Sequence, residues 1–149
     1  MKKSRILLID DNPDFLEIFG AKFKLAGFEV ASELGYTPDT LSKIAAHDPN
    51  LVILEYVMHN SMGIELMKAL RAKKRTKKYK VVILSTHREK EFIEEAIKEG
   101  AIDWILKTGD LDEMVGRIRQ IIEDPKGYKL MYPDVLAQGI SVKMWNGKY

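Results

Sequence analysis

Leu51-Val52-Ile53-Leu54-Glu55 is a run of four apolar residues closed by a single acid. A short continuous apolar run of this kind reads as a buried strand, with Glu55 at its carboxyl end. The pattern recurs on either side. Arg5-Ile6-Leu7-Leu8-Ile9 ends in Asp10-Asp11, Val81-Val82-Ile83-Leu84 ends in Ser85-Thr86, and Ile102 to Leu106 ends in Lys107. Four strand ends thus deliver three acids, a hydroxyl and an amine. In an open parallel sheet, ligands bind outside the carboxyl ends of the strands, where the strand order reverses. The set suits a metal ion and a phosphoryl group.

Amphipathic helices separate the strands. Asp11-Asn12-Pro13 supplies a capping side chain and a proline suited to a first helical turn. Phe15, Phe19 and Phe23 follow at four-residue spacing, and Gly27 closes the helix. A weak strand spans Phe28 to Ser32. Thr37-Pro38 opens a helix whose inner face is Leu41, Ile44 and Ala45. A loop from Glu55 through Gly63 enters a helix running from Ile64 to about Ala72. The segment Glu89 to Glu99 sets Phe92, Ile93, Ala96 and Ile97 on one face and stops at Gly100. Asp110 with Glu113 three residues on reads as a capping box, ahead of the stripe Leu111, Met114, Val115, Ile118, Ile121 and Ile122. Strand and helix alternate five times, which predicts an α/β fold: a (βα)5, doubly wound, parallel five-stranded sheet in one domain over residues 1–124.

Composition bounds the function. Of 149 residues, 46% are hydrophobic and 31% charged, an ordinary globular balance. A net charge of +2 is too weak to make nucleic acid an expected partner of the whole surface. The chain has no cysteine, which excludes disulfides and thiolate metal sites. No apolar stretch approaches the roughly 18 residues of a membrane span, and nothing reads as a signal peptide. A cytoplasmic location with no membrane contact is the expectation.

Together these features resemble the receiver domain of response regulators, the CheY-like, flavodoxin-like module of two-component (phosphorelay) signalling. The resemblance covers residues 4 to about 124. It implies that Asp10, Asp11, Glu55 and the backbone of Val57 are the ligands of Mg²⁺. Ser85 would be the switch hydroxyl on the phosphoryl group, Lys107 its ion-pair partner, and Trp104 the aromatic switch residue. Partners implied are a histidine kinase or a downstream effector. The face built from Glu89–Glu99, Ile102–Leu106 and Asp110–Glu123 would be the output and homodimer surface.

Three positions depart from the family pattern. Glu55 stands in place of the phosphoacceptor aspartate, His59 replaces a usual proline in the following loop, and Thr108 replaces the proline usual after the lysine. One extra methylene carries a carboxylate roughly 1.5 Å further, a carbon–carbon bond length. A misplacement of about 1 Å can cost ~100-fold in rate. The expectation is therefore a pseudo-receiver, a non-enzymatic single-domain signalling module acting through protein contacts, with phosphorylation lost or weakened. Two rivals stand beside it. One is a phosphorylatable regulator with Mg²⁺-dependent transfer from a histidine kinase. The other, more remote, is a phosphatase-like enzyme, for which Asn12 is the wrong residue two places after Asp10.

Plainer roles compete for the same residues. Asp11 could cap the first helix, Ser85 or Thr86 could cap the helix after them, Lys107 could simply neutralise the acids, and Trp104 could be core packing. The three histidines show no metal spacing. Arg71 to Lys80 has seven basic residues in ten and reads as a solvated helix end, with an acidic partner or nucleic acid as the other reading. Residues 125–149 form an apolar, basic extension: Pro133 to Gly139 suits a short helix, and Ser141 to Trp145 alternates like a strand entering a turn. Whether it packs back on the domain or meets a partner stays open in the sequence.

Overall fold

The computed structural model describes residues 2–137 and 144–147. Five parallel strands, β1 (Arg5–Asp10), β2 (Glu29–Leu34), β3 (Leu51–Leu54), β4 (Val81–Ser85) and β5 (Trp104–Leu106), form one sheet in the order β2-β1-β3-β4-β5. The helices between them are α1 (Pro13–Leu25), α2 (Thr40–His47), α3 (Gly63–Ala72), α4 (Lys90–Lys98) and α5 (Leu111–Glu123). α1 packs with α5, whereas α2, α3 and α4 pack side by side, so both faces of the sheet are covered. The continuous apolar runs follow from this. β3 and β4 are buried along their whole length because each side chain, up or down, meets a helix layer. Among the strands of this sheet β2, at the edge, has the exposed pattern, and its Leu34 is largely in solvent.

Local sequence accounts for the first βα unit. The Asn12 side chain accepts from the N–H groups of Asp14 (3.0 Å) and Phe15 (3.2 Å), Pro13 starts the helix, and Gly27 (φ +98°) ends it in the left-handed conformation that costs glycine least. Phe15 then stacks on Phe19 with ring centroids 4.8 Å apart, and Phe23 meets Phe19 edge-on at 4.9 Å. Asp11 does not cap this helix; its carboxylate accepts from the His59 N–H at 2.6 Å instead. Neither Ser85 nor Thr86 caps α4, whose N-cap position is Glu89 and carries no side-chain cap. The Asp110 cap is formed as expected, to the Glu113 N–H at 3.0 Å. β5 is shorter than its apolar run because it begins at Trp104, although Ile102 already donates to the Val81 carbonyl.

The extension returns to the domain. α6 (Tyr132–Leu136) overlaps the expected helix Pro133 to Gly139, starting one residue earlier, and packs against α4, with Met131 and Val135 buried. Its anchor is Asp103, fully buried, whose carboxylate accepts from the Trp104, Met131 and Tyr132 N–H groups and from the Tyr128 hydroxyl. The face expected to receive a partner is thus partly occupied by the chain's own residues 128–136. The expected strand Ser141 to Trp145 falls mostly outside the described residues; Met144 makes a single antiparallel bridge with Thr108.

Candidate functional site

The strand order reverses between β1 and β3, and the carboxyl ends of these two strands carry Asp10 and Glu55 side by side. β5, beyond β4, is followed directly by Lys107, whose side chain reaches back to them. Its ammonium lies 2.8 Å from Asp10 Oδ2 and 3.0 Å from Glu55 Oε1, and all three residues are at most 6% exposed. A buried carboxylate without a partner would be costly; here one cation serves two acids. Burial pushes the Asp10 carboxyl above its ordinary range, against the pull of the adjacent Lys107.

The second oxygen of Glu55 turns back onto its own loop. Oε2 accepts from the Tyr56 N–H at 2.6 Å and the Val57 N–H at 3.3 Å. The longer side chain is therefore held by the backbone that follows it. That loop is tight: Val57 bridges Met62, and the Gly63 N–H donates to the Tyr56 carbonyl at 2.6 Å. A Cβ on Gly63 would come within 2.8 Å of the Glu55 carbonyl oxygen, so glycine is required by close approach.

Ser85 ends β4 and Trp104 opens β5, and the bonds of both lie away from the acid cluster. The Ser85 hydroxyl accepts from the His87 N–H at 3.1 Å, turning the β4–α4 loop. Trp104 is fully buried, packs on the Tyr56 ring at 5.0 Å and donates its indole N–H to the His87 carbonyl at 2.9 Å. The Tyr56 hydroxyl in turn bonds Glu95 on α4, and burial together with that carboxylate raises its pKa. A buried chain of contacts thus leads from Glu55 through Tyr56 to α4 and Trp104.

Two residues at the site carried no obvious signal in the sequence. Phe15 lies under Lys107, its ring centroid 4.0 Å from the ammonium, and Trp145 from the extension lies edge-on to Phe15 at 5.3 Å. The Trp145 N–H donates to the Lys107 carbonyl at 2.9 Å, and its indole is 5.8 Å from the ammonium and nearly buried. Together the rings cover the lysine. The space enclosed by Asp10, Phe15 and Glu55 is too small for a water molecule. Among the described residues no three acidic or histidine side chains are placed to hold a metal. The Lys107 ammonium already binds the two inner acids and Asp11 faces His59, so this closed arrangement does not fit Mg²⁺.

A doubly wound sheet of this order, with strand-end acids held by a strand-end lysine, is the architecture of signal-receiver proteins. The family model for the response regulator receiver domain matches residues 6–119, and the chain belongs to that family. Among curated proteins it is 32% identical over 131 residues to a Bacillus subtilis protein named "Probable C4-dicarboxylate response regulator DctR", covering 86% of this chain and 54% of that one. It is 30% identical over 112 residues to the regulatory protein AtoC of Escherichia coli, covering 74% and 23%. The chain spans about half the length, or less, of these relatives. Among solved structures, the receiver domain of NarL from Mycobacterium tuberculosis matches at 26% identity, TM-score 0.72, covering 83% and 99% of the two chains. The response regulator TrrA of Thermotoga maritima, solved with Mg²⁺ and a beryllium fluoride, matches in fold at 24% identity, TM-score 0.67, covering 79% and 98%. These relatives are signalling proteins, and no helix among the described residues is long and apolar enough to cross a membrane.

Proposed function

We propose that this chain is a pseudo-receiver: a signalling module that works through protein contacts, with acceptance of a phosphoryl group lost or much weakened. The observation that carries the reading is the placement of Glu55. Its two oxygens are committed to Lys107 and to the Tyr56 and Val57 N–H groups, and the residue is buried. A phosphoryl donor would need a carboxylate oxygen free and in line; both oxygens are held, and the carboxylate is shut away from solvent. Glu55 also keeps a charge of −1 on Lys107, where an acyl phosphate brings about −2, so it mimics a phosphorylated state only in part.

Transfer from a phosphohistidine would break a P–N bond and form a P–O bond on Glu55. That second reading, an active phosphorelay member served by a histidine kinase, is favoured by the retained Asp10, Ser85 and Lys107. In it Asp10, Asp11, Glu55 and the Val57 backbone take Mg²⁺, and Ser85, Trp104 and Lys107 answer the phosphoryl group. It requires Lys107 to leave Asp10 and the Trp145 segment to lift. Partners in either case are signalling proteins, a kinase or an effector, and a homodimer through the Glu89–Glu123 face would have to contend with α6.

An NMR titration of backbone amides separates the two. With Mg²⁺ and then beryllofluoride, the pseudo-receiver gives no shifts spreading beyond the loop ends. Shifts at Asp10, Asp11 and Glu55 that extend to Ser85, Trp104 and Lys107 would establish a working switch and end the proposal.

A further inference from the structure

At the amino end of the sheet, opposite the acid cluster, the extension builds a groove of about 420 Å³ lined by Lys80, Ile102, Ile121, Pro125, Tyr128 and Leu130. Its wall is mostly apolar, and Leu130 is 39% exposed at its lip. Its rim is cationic: Lys80, Lys126 and Lys129 are exposed, and the neighbouring α3–β4 connection adds Lys73, Lys74, Arg75, Lys77 and Lys78. The topology concentrates this charge, because a parallel sheet brings the starts of β4 and β5 and the ends of α3 and α5 to one side. Three acids on this side have bonds of their own. Asp48 takes Arg5, Lys78 and the Tyr79 hydroxyl, Glu123 takes Arg119, and Asp124 takes the Gly127 N–H.

We propose that this groove is a docking site for an acidic protein segment carrying one bulky apolar side chain. The cavity takes the apolar anchor and the lysines take the flanking carboxylates. A concave apolar site of a few hundred Å³ suits a large side chain, and opposite charge at the rim steers encounter and sets register. A nucleic acid fits less well. Single-stranded binding relies on aromatic faces on which bases stack, and Tyr128, the aromatic here, is tied down by its hydroxyl to Asp103. The inference does not depend on the state of Glu55, since the groove and the acid cluster lie at opposite ends of the strands.

Fluorescence anisotropy on the full chain tests it, with a labelled glutamate peptide bearing one central phenylalanine as probe. The comparisons are an all-glutamate peptide of equal length, a single-stranded oligonucleotide and anionic phosphatidylserine vesicles. The phenylalanine peptide is expected to bind at least ~10-fold more tightly than the all-glutamate peptide. Leu130→Glu should weaken it at least ~10-fold, and the combined Lys80→Ala, Lys126→Ala and Lys129→Ala chain should weaken it and flatten its salt dependence. All these positions are exposed, and unchanged thermal melts would show the variants folded. Amide shifts on binding should centre on Ile102 and Ile121. Absence of binding, equal binding of the all-glutamate peptide, tighter binding of the oligonucleotide or vesicles, or indifference to Leu130→Glu would each overturn the proposal.

Discussion

Replacing Lys107 by methionine keeps a flexible chain against Phe15 and Trp145 but removes the cation between Asp10 and Glu55. The ammonium stands 2.8 and 3.0 Å from the two carboxylates and 4.0 Å from the Phe15 ring centroid, and none of the three charged residues is more than 6% exposed. Removing one partner of a buried pair typically costs about 3–5 kcal/mol, because a buried charge is left uncompensated. For a chain of this size that lowers Tm by roughly 6–20 °C. The loss has a pH signature. Two adjacent buried carboxylates without a cation share a proton, so the variant recovers stability as pH falls and one of them protonates. Adding Glu55→Gln should recover most of it at neutral pH. Urea unfolding followed by circular dichroism, at about pH 7 and about pH 5, measures each step. A loss below about 1 kcal/mol at neutral pH is what a solvated ion pair gives, and it would refute the closed site.

Three further outcomes are expected. Asp103→Ala strips the partner from three N–H groups, two of them in the extension, and from the Tyr128 hydroxyl, each bond to a charged group contributing about 1.5–3 kcal/mol, so trypsin should cut at Lys126 and Lys129 more than tenfold faster while the sheet stays folded. Gly63→Ala places a methyl 2.8 Å from the Glu55 carbonyl oxygen and 3.0 Å from the Tyr56 Cα; both are backbone, so overpacking should cost about 1–3 kcal/mol in a thermal melt. Asp10 is held above its ordinary 3.8, so the folded chain binds that proton more readily than the unfolded one. Its contribution to stability is full below the unfolded value and is lost as pH rises through the folded one; Asp10→Asn should remove that part of the slope in a urea series from about pH 4 to 8.

The sheet could be read from the chain because its interior strands are apolar on both faces, a pattern that β3 and β4 show without interruption. The meeting of Asp10, Glu55 and Lys107 could be read because each closes or directly follows such a run. What stayed hidden depended on distance in sequence. Asp103 looks like an interruption of an apolar run, yet an acid inside a short buried strand was itself a signal that distant donors must satisfy it. Phe15 reads as one rung of a helical stripe, and only the fold sets its ring beneath Lys107. The extension's apolar residues foretold burial but not its location. Asp11 had an adjacent rival in Asn12, one residue nearer the helix, and capping geometry chose Asn12.

The path of the extension also decides where the polypeptide leaves the domain. α5 delivers the chain to the base of the sheet, but Met144 and Trp145 lie against Lys107 and Thr108 at the top. A fluorophore or tether attached after Gly147 is therefore carried beside the acid cluster, whereas one attached at Lys2 sits at the foot of β1. A dye pair on Lys2 and Gly147 would span the length of the strands and change its separation if Trp145 released Lys107, which would make that contact legible at the level of single molecules.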